Sequence, residues 1–218
     1  MKLSHRVEDG ARLASLLWEF GPGRRAISSA VLGGGIGPVS WALNAQVVAG
    51  YSRMDPVAHL RELAPPGPGV GMLTAASVER FTRACDGGAE AVATVGLRVP
   101  TWAAAPEGVP DPEPAPMRLP GTINIIVAVP VSMSDAALVN AVMTVTEAKA
   151  QALAEIGFPG TGTASDAVCV VALDRVPAGP EEPFGGPRST WGARIARAVH
   201  AAVLRGALDW ADRDGSAT

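Results

Sequence analysis

The feature that most limits what this chain can fold into lies between residues 121 and 173. There two short apolar runs, GTINIIVAV and DAVCVVAL, flank a longer segment with helical periodicity. The middle segment, SDAALVNAVMTVTEAKAQALAEIG, opens on the hydroxyl N-cap Ser134, carries Asp135 in its first turn and stops at Gly157. At about 100° per residue, Leu138, Val142, Val145, Leu153 and Ile156 share one face. That face needs a sheet to bury against, and the flanking runs read as its strands. A last helix is expected from about Ser189 to Ala211, with Ile195, Val199, Ala202 and Leu208 broadly on one side and Arg194, Arg197 and Arg205 elsewhere.

One residue breaks the apolar stripe. Lys149 falls about 20° from Leu138, whereas Glu147 points roughly the opposite way, beside Asn140, Thr144 and Gln151. An ammonium under a sheet costs free energy unless a carboxylate or a set of acceptors receives it. Periodicity alone leaves two readings open: a buried, paired lysine, or one whose stem is buried and whose head snorkels to water.

The first half is strand-rich. RAISSAVL, LNAQVVAGY, GVGMLTA and EAVATVGLRV read as short strands, and SVERFTRA from Ser77 as a brief helix between two of them. PPGPG at 65–69 is a turn, and the proline-rich 106–116 is an extended, solvent-facing loop. Neither half covers itself. The expected fold is therefore one domain over 1–218, an α/β or α+β layered sandwich of mixed β-sheet with two long helices from the C-terminal half.

Composition removes several function classes. With 48% hydrophobic and 18% charged residues the chain is no disordered segment. A net charge of −3 and 5% aromatic residues argue against nucleic acid as a partner. No apolar run has the length of a membrane span or of a signal peptide, so a cytoplasmic location with no membrane partner is expected. Cys85 and Cys169 read as reduced structural thiols, and His5, His59 and His200 are too scattered to form a visible metal motif. The chain leaves oligomeric state open, a homo-oligomer included.

Polar residues stand where strands are normally apolar. Thr122 and Asn124 share a strand face with Ile126, Ser28 and Ser29 precede three glycines, and Asn44 interrupts an apolar run. Thr161, Thr163 and Ser165 crowd a glycine turn, and Asp166 stands at the mouth of a strand. The stretch GGGIG, 33–37, fits neither the dinucleotide nor the P-loop spacing.

In this order the stretches AISSAVLGGG, LNAQVVAGY with Asp55-Pro56, VGMLTAA, GTINIIVAV, TEAKAQAL, TGTASDAV and GGPRSTWG, spread over about residues 25–205, resemble the adenosylcobinamide amidohydrolase family. Ser165 stands where threonine is expected, and the proline-rich insert is peculiar to this chain. The resemblance implies hydrolysis of the amide joining a propionate of adenosylcobinamide to aminopropanol, a step of cobalamin salvage that yields adenosylcobyric acid. No cofactor is required, since the corrinoid substrate itself carries the cobalt.

The resemblance turns Lys149 into a candidate catalytic residue, with Asp166 as its partner, and Thr122 and Asn124 as groups that hydrogen-bond the scissile amide. Glu147 is either a general base or a structural ion-pair residue. Ser28, Ser29, Asn44, Thr74, Thr161 and Thr163 are candidate substrate-binding groups, and the nucleophile is water or one of Ser28, Thr74, Thr122 and Thr163. Alternatives are a non-catalytic corrinoid-binding protein, or an amidohydrolase acting on complete cobamides or another amide. A fainter likeness to self-processing aminopeptidases and ornithine acetyltransferase-like proteins leans toward a layered sandwich, without a self-cleavage motif.

Overall fold

Asp9 and Gly10 both take positive φ, 51° and 73°, which forms the two-residue turn that suits the right-handed twist of a hairpin. They join β1 (Lys2–Glu8) to β2 (Ala11–Glu19), a pair that the sequence pattern leaves unassigned. The computed structural model describes residues 1–104, 108, 121–175 and 179–214. Apart from Gly108, the proline-rich stretch 106–116 lies outside the described residues.

The remaining strands are β3 (Arg24–Ser28), β4 (Gly35–Pro38), β5 (Trp41–Gln46), β6 (Gly69–Thr74), β7 (Thr82–Asp86), β8 (Ala89–Leu97), β9 (Gly121–Ser132) and β10 (Ala167–Leu173). The helices are α1 (Pro56–Leu63), α2 (Asp135–Glu155) and α3 (Thr190–Asp214). SVERFTRA is not a helix of any length: a single 3₁₀ turn, Val78–Arg80, gives way at once to β7. Helix α1 is a further element that the periodicity did not reveal, although Asp55-Pro56 places proline in its first turn.

The strands form two mixed sheets, in keeping with the expected layered sandwich. The first has the order β1-β2-β5-β6 and the second β4-β3-β10-β9-β8-β7, with β5/β6 and β9/β10 the parallel neighbours. Alternation along each strand decides which layer a side chain enters. Ile123, Ile125 and Val127 of β9 join Val168 and Val170 of β10 under α2 and α3. Ile126, Cys169 and Val171 face the other way and pack on Ala42, Val70 and Met72 of the first sheet. Leu60 of α1 covers the outer face of that sheet with Trp41 and Leu43. The layers thus run α1, first sheet, second sheet, then α2 with α3.

Helix α2 matches its expected caps, the Ser134 hydroxyl accepting from the Ala137 N–H at 3.1 Å. Its burial is wider than one stripe. Thr144, read as outward-facing, is buried because its hydroxyl donates to the Gly185 carbonyl at 2.8 Å. On α3, Ile195, Val199 and Ala202 are in the core, but Leu208 is exposed. Arg197 instead pairs with Asp86 of β7 at 2.6 Å.

Candidate active site

Lys149 is only 7% exposed and lies on the sheet-facing side of α2, near its C-terminal end. Its ammonium donates to Oδ2 of Asp166, the residue just before β10. The same carboxylate accepts from the Thr163 N–H at 3.1 Å, the Thr163 hydroxyl at 2.5 Å and the Ile123 N–H at 2.8 Å. Helix, turn and β9 therefore all converge on one acid. The snorkelling alternative fails because the ammonium is buried and paired with a largely shielded carboxylate.

Gly162 makes this pairing sterically available. A Cβ there would overlap both Lys149 Nζ and Asp166 Oδ2, so every other residue at this position displaces the ion pair. The turn is anchored from the far side: Thr101 N–H donates to Gly162 O at 3.0 Å and Thr161 N–H to Thr101 O at 3.0 Å. The Thr161 hydroxyl accepts from the Ala103 N–H at 3.1 Å.

A cavity of about 360 Å³ opens beside the pair, lined by Thr101, Ala103, Thr146, Glu147, Lys149, Ala150, Thr161, Gly162 and Thr163. Glu147 on its rim qualifies the helical wheel. Thr146, Ala150 and Glu147 stand about 60°, 100° and 160° from Lys149 in the same rotational sense, so the cavity occupies the flank between lysine and glutamate. Among the described residues Glu147 has no hydrogen-bond or ion-pair partner. Lys149 spends one N–H on Asp166 and has no second partner among them. Among the described residues the site thus joins an internally neutralised, shielded pair, two unspent ammonium donors and an unpaired carboxylate.

The other candidates occupy the same end of the two sheets but not this cavity. Ser28 closes β3, its hydroxyl donating to Val168 O at 2.9 Å, and Ser29 Oγ accepts from Val168 N–H at 3.0 Å. Thr74 closes β6 and accepts from Ala76 N–H at 3.0 Å. Thr122 pairs with the Ser165 hydroxyl at 2.7 Å, one residue from Asp166.

Asn124 is 1% exposed and faces the layer between the sheets. Its Nδ2 donates to Asn44 Oδ1 at 2.9 Å and Leu73 O at 3.0 Å, while Asn44 donates to Thr94 Oγ1 at 2.9 Å. These amides bridge β5, β6, β8 and β9. Strand parity reveals that Thr122 and Asn124 share a face, but not that this face looks away from α2 and Lys149.

Sequence reasoning also passes over His59. It is buried between Glu8 Oε1, 2.8 Å from its Nε2, and the Tyr51 hydroxyl, 3.1 Å from its Nδ1. Burial pushes the Glu8 carboxyl up, but Arg6 and His59 more than offset this and hold it below the usual carboxylate range. No local signal announces the chain of polar groups, since its members come from β1, a loop and α1. Cys169 is buried, which drives its thiol up to about 12 and leaves no thiolate for chemistry. Among the described residues no three His, Cys, Asp or Glu side chains gather as metal ligands.

The family model described as adenosylcobinamide amidohydrolase matches residues 1–215. The chain belongs to that family. A Halobacterium salinarum protein named adenosylcobinamide amidohydrolase is 36% identical over 209 residues, covering 93% of this chain and 82% of its own. A Methanosarcina mazei protein of the same name is 30% identical over 185 residues, covering 80% of this chain and 86% of its own. The family match takes in the β1–β2 hairpin, which the resemblance from residue 25 onward leaves out.

Proposed function

We propose that this protein is a cobalamin-salvage hydrolase that cleaves the amide joining a propionate of adenosylcobinamide to its aminopropanol, releasing adenosylcobyric acid and free aminopropanol. Family membership supports the reaction, and the unspent ammonium donors of Lys149 at the cavity support its place. An amide carbonyl seated against Lys149 would have its developing oxyanion met by a cation already removed from water, where such stabilisation is strongest. Asp166 fixes the lysine. Its lone pairs are occupied by four donors, so it acts as an orienting group and not as the base.

Glu147 is the base. It takes one proton from an attacking water as the water oxygen bonds to the carbonyl carbon and the carbonyl electron pair moves onto oxygen. Collapse of that intermediate breaks the carbon–nitrogen bond, and Glu147 passes the proton to the departing amine. In this reading Thr122 holds Ser165 and Asn124 holds the two sheets in register, so both support the site from behind. The cobalt enters with the substrate, and no further cofactor takes part. The free thiols of Cys85 and Cys169 suit a cytoplasmic setting.

A second reading is kept for one observation. The Thr163 hydroxyl is 2.5 Å from Asp166 Oδ1, a geometry that also suits a threonine nucleophile passing through an ester intermediate. Incubation with adenosylcobinamide and assay for free aminopropanol and adenosylcobyric acid tests the reaction. Binding without aminopropanol release would leave a corrinoid-binding protein, and preferential release from complete cobamides a different amidohydrolase. Mass spectrometry of the quenched enzyme separates the two nucleophiles, because only the threonine route adds the corrinoid mass to the chain.

A further inference from the structure

A cavity of about 360 Å³ falls in the range that holds a drug-sized ligand, and adenosylcobinamide is much larger. The cavity therefore admits the amide-bearing arm alone, and the macrocycle must lie on whatever surface adjoins the mouth. That surface is not ordinary. Along α2, Ala136, Val139, Asn140 and Met143 line a second hollow of about 490 Å³ with Pro183 and Phe184. Thr146, Glu147 and Ala150 continue the same flank into the first cavity. Spacings of three and four residues keep all of them on one side of the helix, over about 21 Å from Ala136 to Ala150.

Three large apolar side chains on this flank face water: Phe184 is 68% exposed, Met143 54% and Val139 49%. Phe184 does not dangle. Its neighbour Gly185 sits so close to α2 that a Cβ would overlap the Ala137 carbonyl, and the Gly185 carbonyl accepts from Thr144. The Phe184 carbonyl itself accepts from the Ser189 hydroxyl at 3.1 Å. The backbone is held from both sides while the ring is left in solvent. Trp102, 55% exposed, lies in the chain between the cavity-lining residues Thr101 and Ala103.

We propose that the flank formed by Val139, Met143 and Phe184 is the docking face for the corrinoid macrocycle, holding the disc while its arm reaches Lys149. A contiguous apolar patch with a polar rim is the usual mark of a binding surface, and a corrin is a broad, largely uncharged disc bearing amides. Asn140, beside Met143, offers a side-chain amide within the same hollow. The proposal rests on the hydrolase reading for the identity of the ligand, while its test separates the two.

The experiment compares wild type, Met143→Ser/Phe184→Ser and, as a control, Leu208→Ser, which removes an exposed apolar side chain from α3. Docking on this flank raises KM for adenosylcobinamide about 10- to 100-fold in the double variant and leaves kcat within about twofold, because two apolar side chains no longer cover the bound disc. Leu208→Ser keeps the wild-type values. An unchanged KM overturns the proposal. So does a wild-type dimer that the double variant converts to a monomer at constant KM, because the flank is then a subunit interface.

Direct titration of each protein with adenosylcobinamide, followed by the corrinoid absorbance, gives the second measurement. Should wild type bind without hydrolysing, weaker binding by the double variant still upholds the docking face while the hydrolase reading fails. Equal binding by wild type and the double variant removes the docking face whatever the turnover.

Discussion

Helix α2 is tied to the second sheet by an ion pair near each end, and the two pairs are built differently. At its start, Asp135 is exposed and takes both the buried Arg25 of β3 and Arg175, the latter at 3.1 Å. Near its end, Lys149 and Asp166 are both shielded, and further donors from Thr163 and Ile123 saturate the acid. The first pair sets an acid at a helix N-terminus, where the macrodipole also favours it. The second buries a cation at the opposite end, where the lysine lines a cavity and has two donors unspent among the described residues. Charge pairing across a helix–sheet interface therefore does not mark a site by itself; unspent donors beside an open volume do.

The largest expected effect tests that distinction. Lys149→Met should lower turnover of adenosylcobinamide by about 10³-fold or more, the scale of losing a principal oxyanion donor. Arg25→Met should leave kcat within about twofold. Lys149→Met should also lower the melting temperature, since it strands the shielded Asp166, whereas Arg25→Met strands only the exposed Asp135, which keeps Arg175, and should lower it less. Steady-state kinetics beside thermal unfolding reads all four numbers. Similar activity losses in the two variants would erase the difference between the ends of the helix.

Gly162→Ala comes next. Its methyl group would occupy the space shared by Lys149 Nζ and Asp166 Oδ2, so turnover should fall about 10²-fold with a lower melting temperature. Gly37→Ala is the matched control, because a Cβ at Gly37 meets nothing within 4 Å. An active Gly162→Ala enzyme would mean that the ion pair shifts without cost, and the turn would lose its claim to position the chemistry. Glu147→Gln should reduce kcat by about 10²-fold at an unchanged melting temperature, as removal of a general base does when the side chain is exposed and unpaired. Full activity would pass the base role to Asp166 and favour the Thr163 route.

The contrast also explains what can be read in advance. Lys149 is legible because its signal is local: one polar residue in an apolar stripe of period 3.6, in a helix with clear caps. Asp166 follows from its place at the mouth of a strand. The Asp9-Gly10 turn and the Asp55-Pro56 helix start carry equally local signals, which are easily passed over because neither flanks a long apolar run. The full strand order of the second sheet is not legible. Its β3–β10 pairing joins Ser28 to Cys169, and no periodicity reports a contact so distant along the chain. For the same reason Asn124 is grouped with Lys149 in the sequence: alternation reveals that two residues share a face, and only the packing of whole layers reveals which face it is.

The smallest effect concerns acid. A hydrogen bond from Arg25, opposed by partial burial and helped by the charges of Arg25 and Arg175, holds the Asp135 carboxyl below its ordinary range. A group whose pKa is depressed by folding contributes stability above its unfolded value, near pH 4, and loses that contribution as the pH falls through its folded value. Asp135→Asn should therefore melt slightly below wild type at neutral pH, and the gap should close as the pH drops below about 4. Melting curves across that range, taken on both proteins, decide the point. A gap that persists at low pH would show that Asp135 works there mainly as a hydrogen-bond acceptor and first-turn residue. The start of α2 would then differ from its end by geometry alone, and not by the state of its charge.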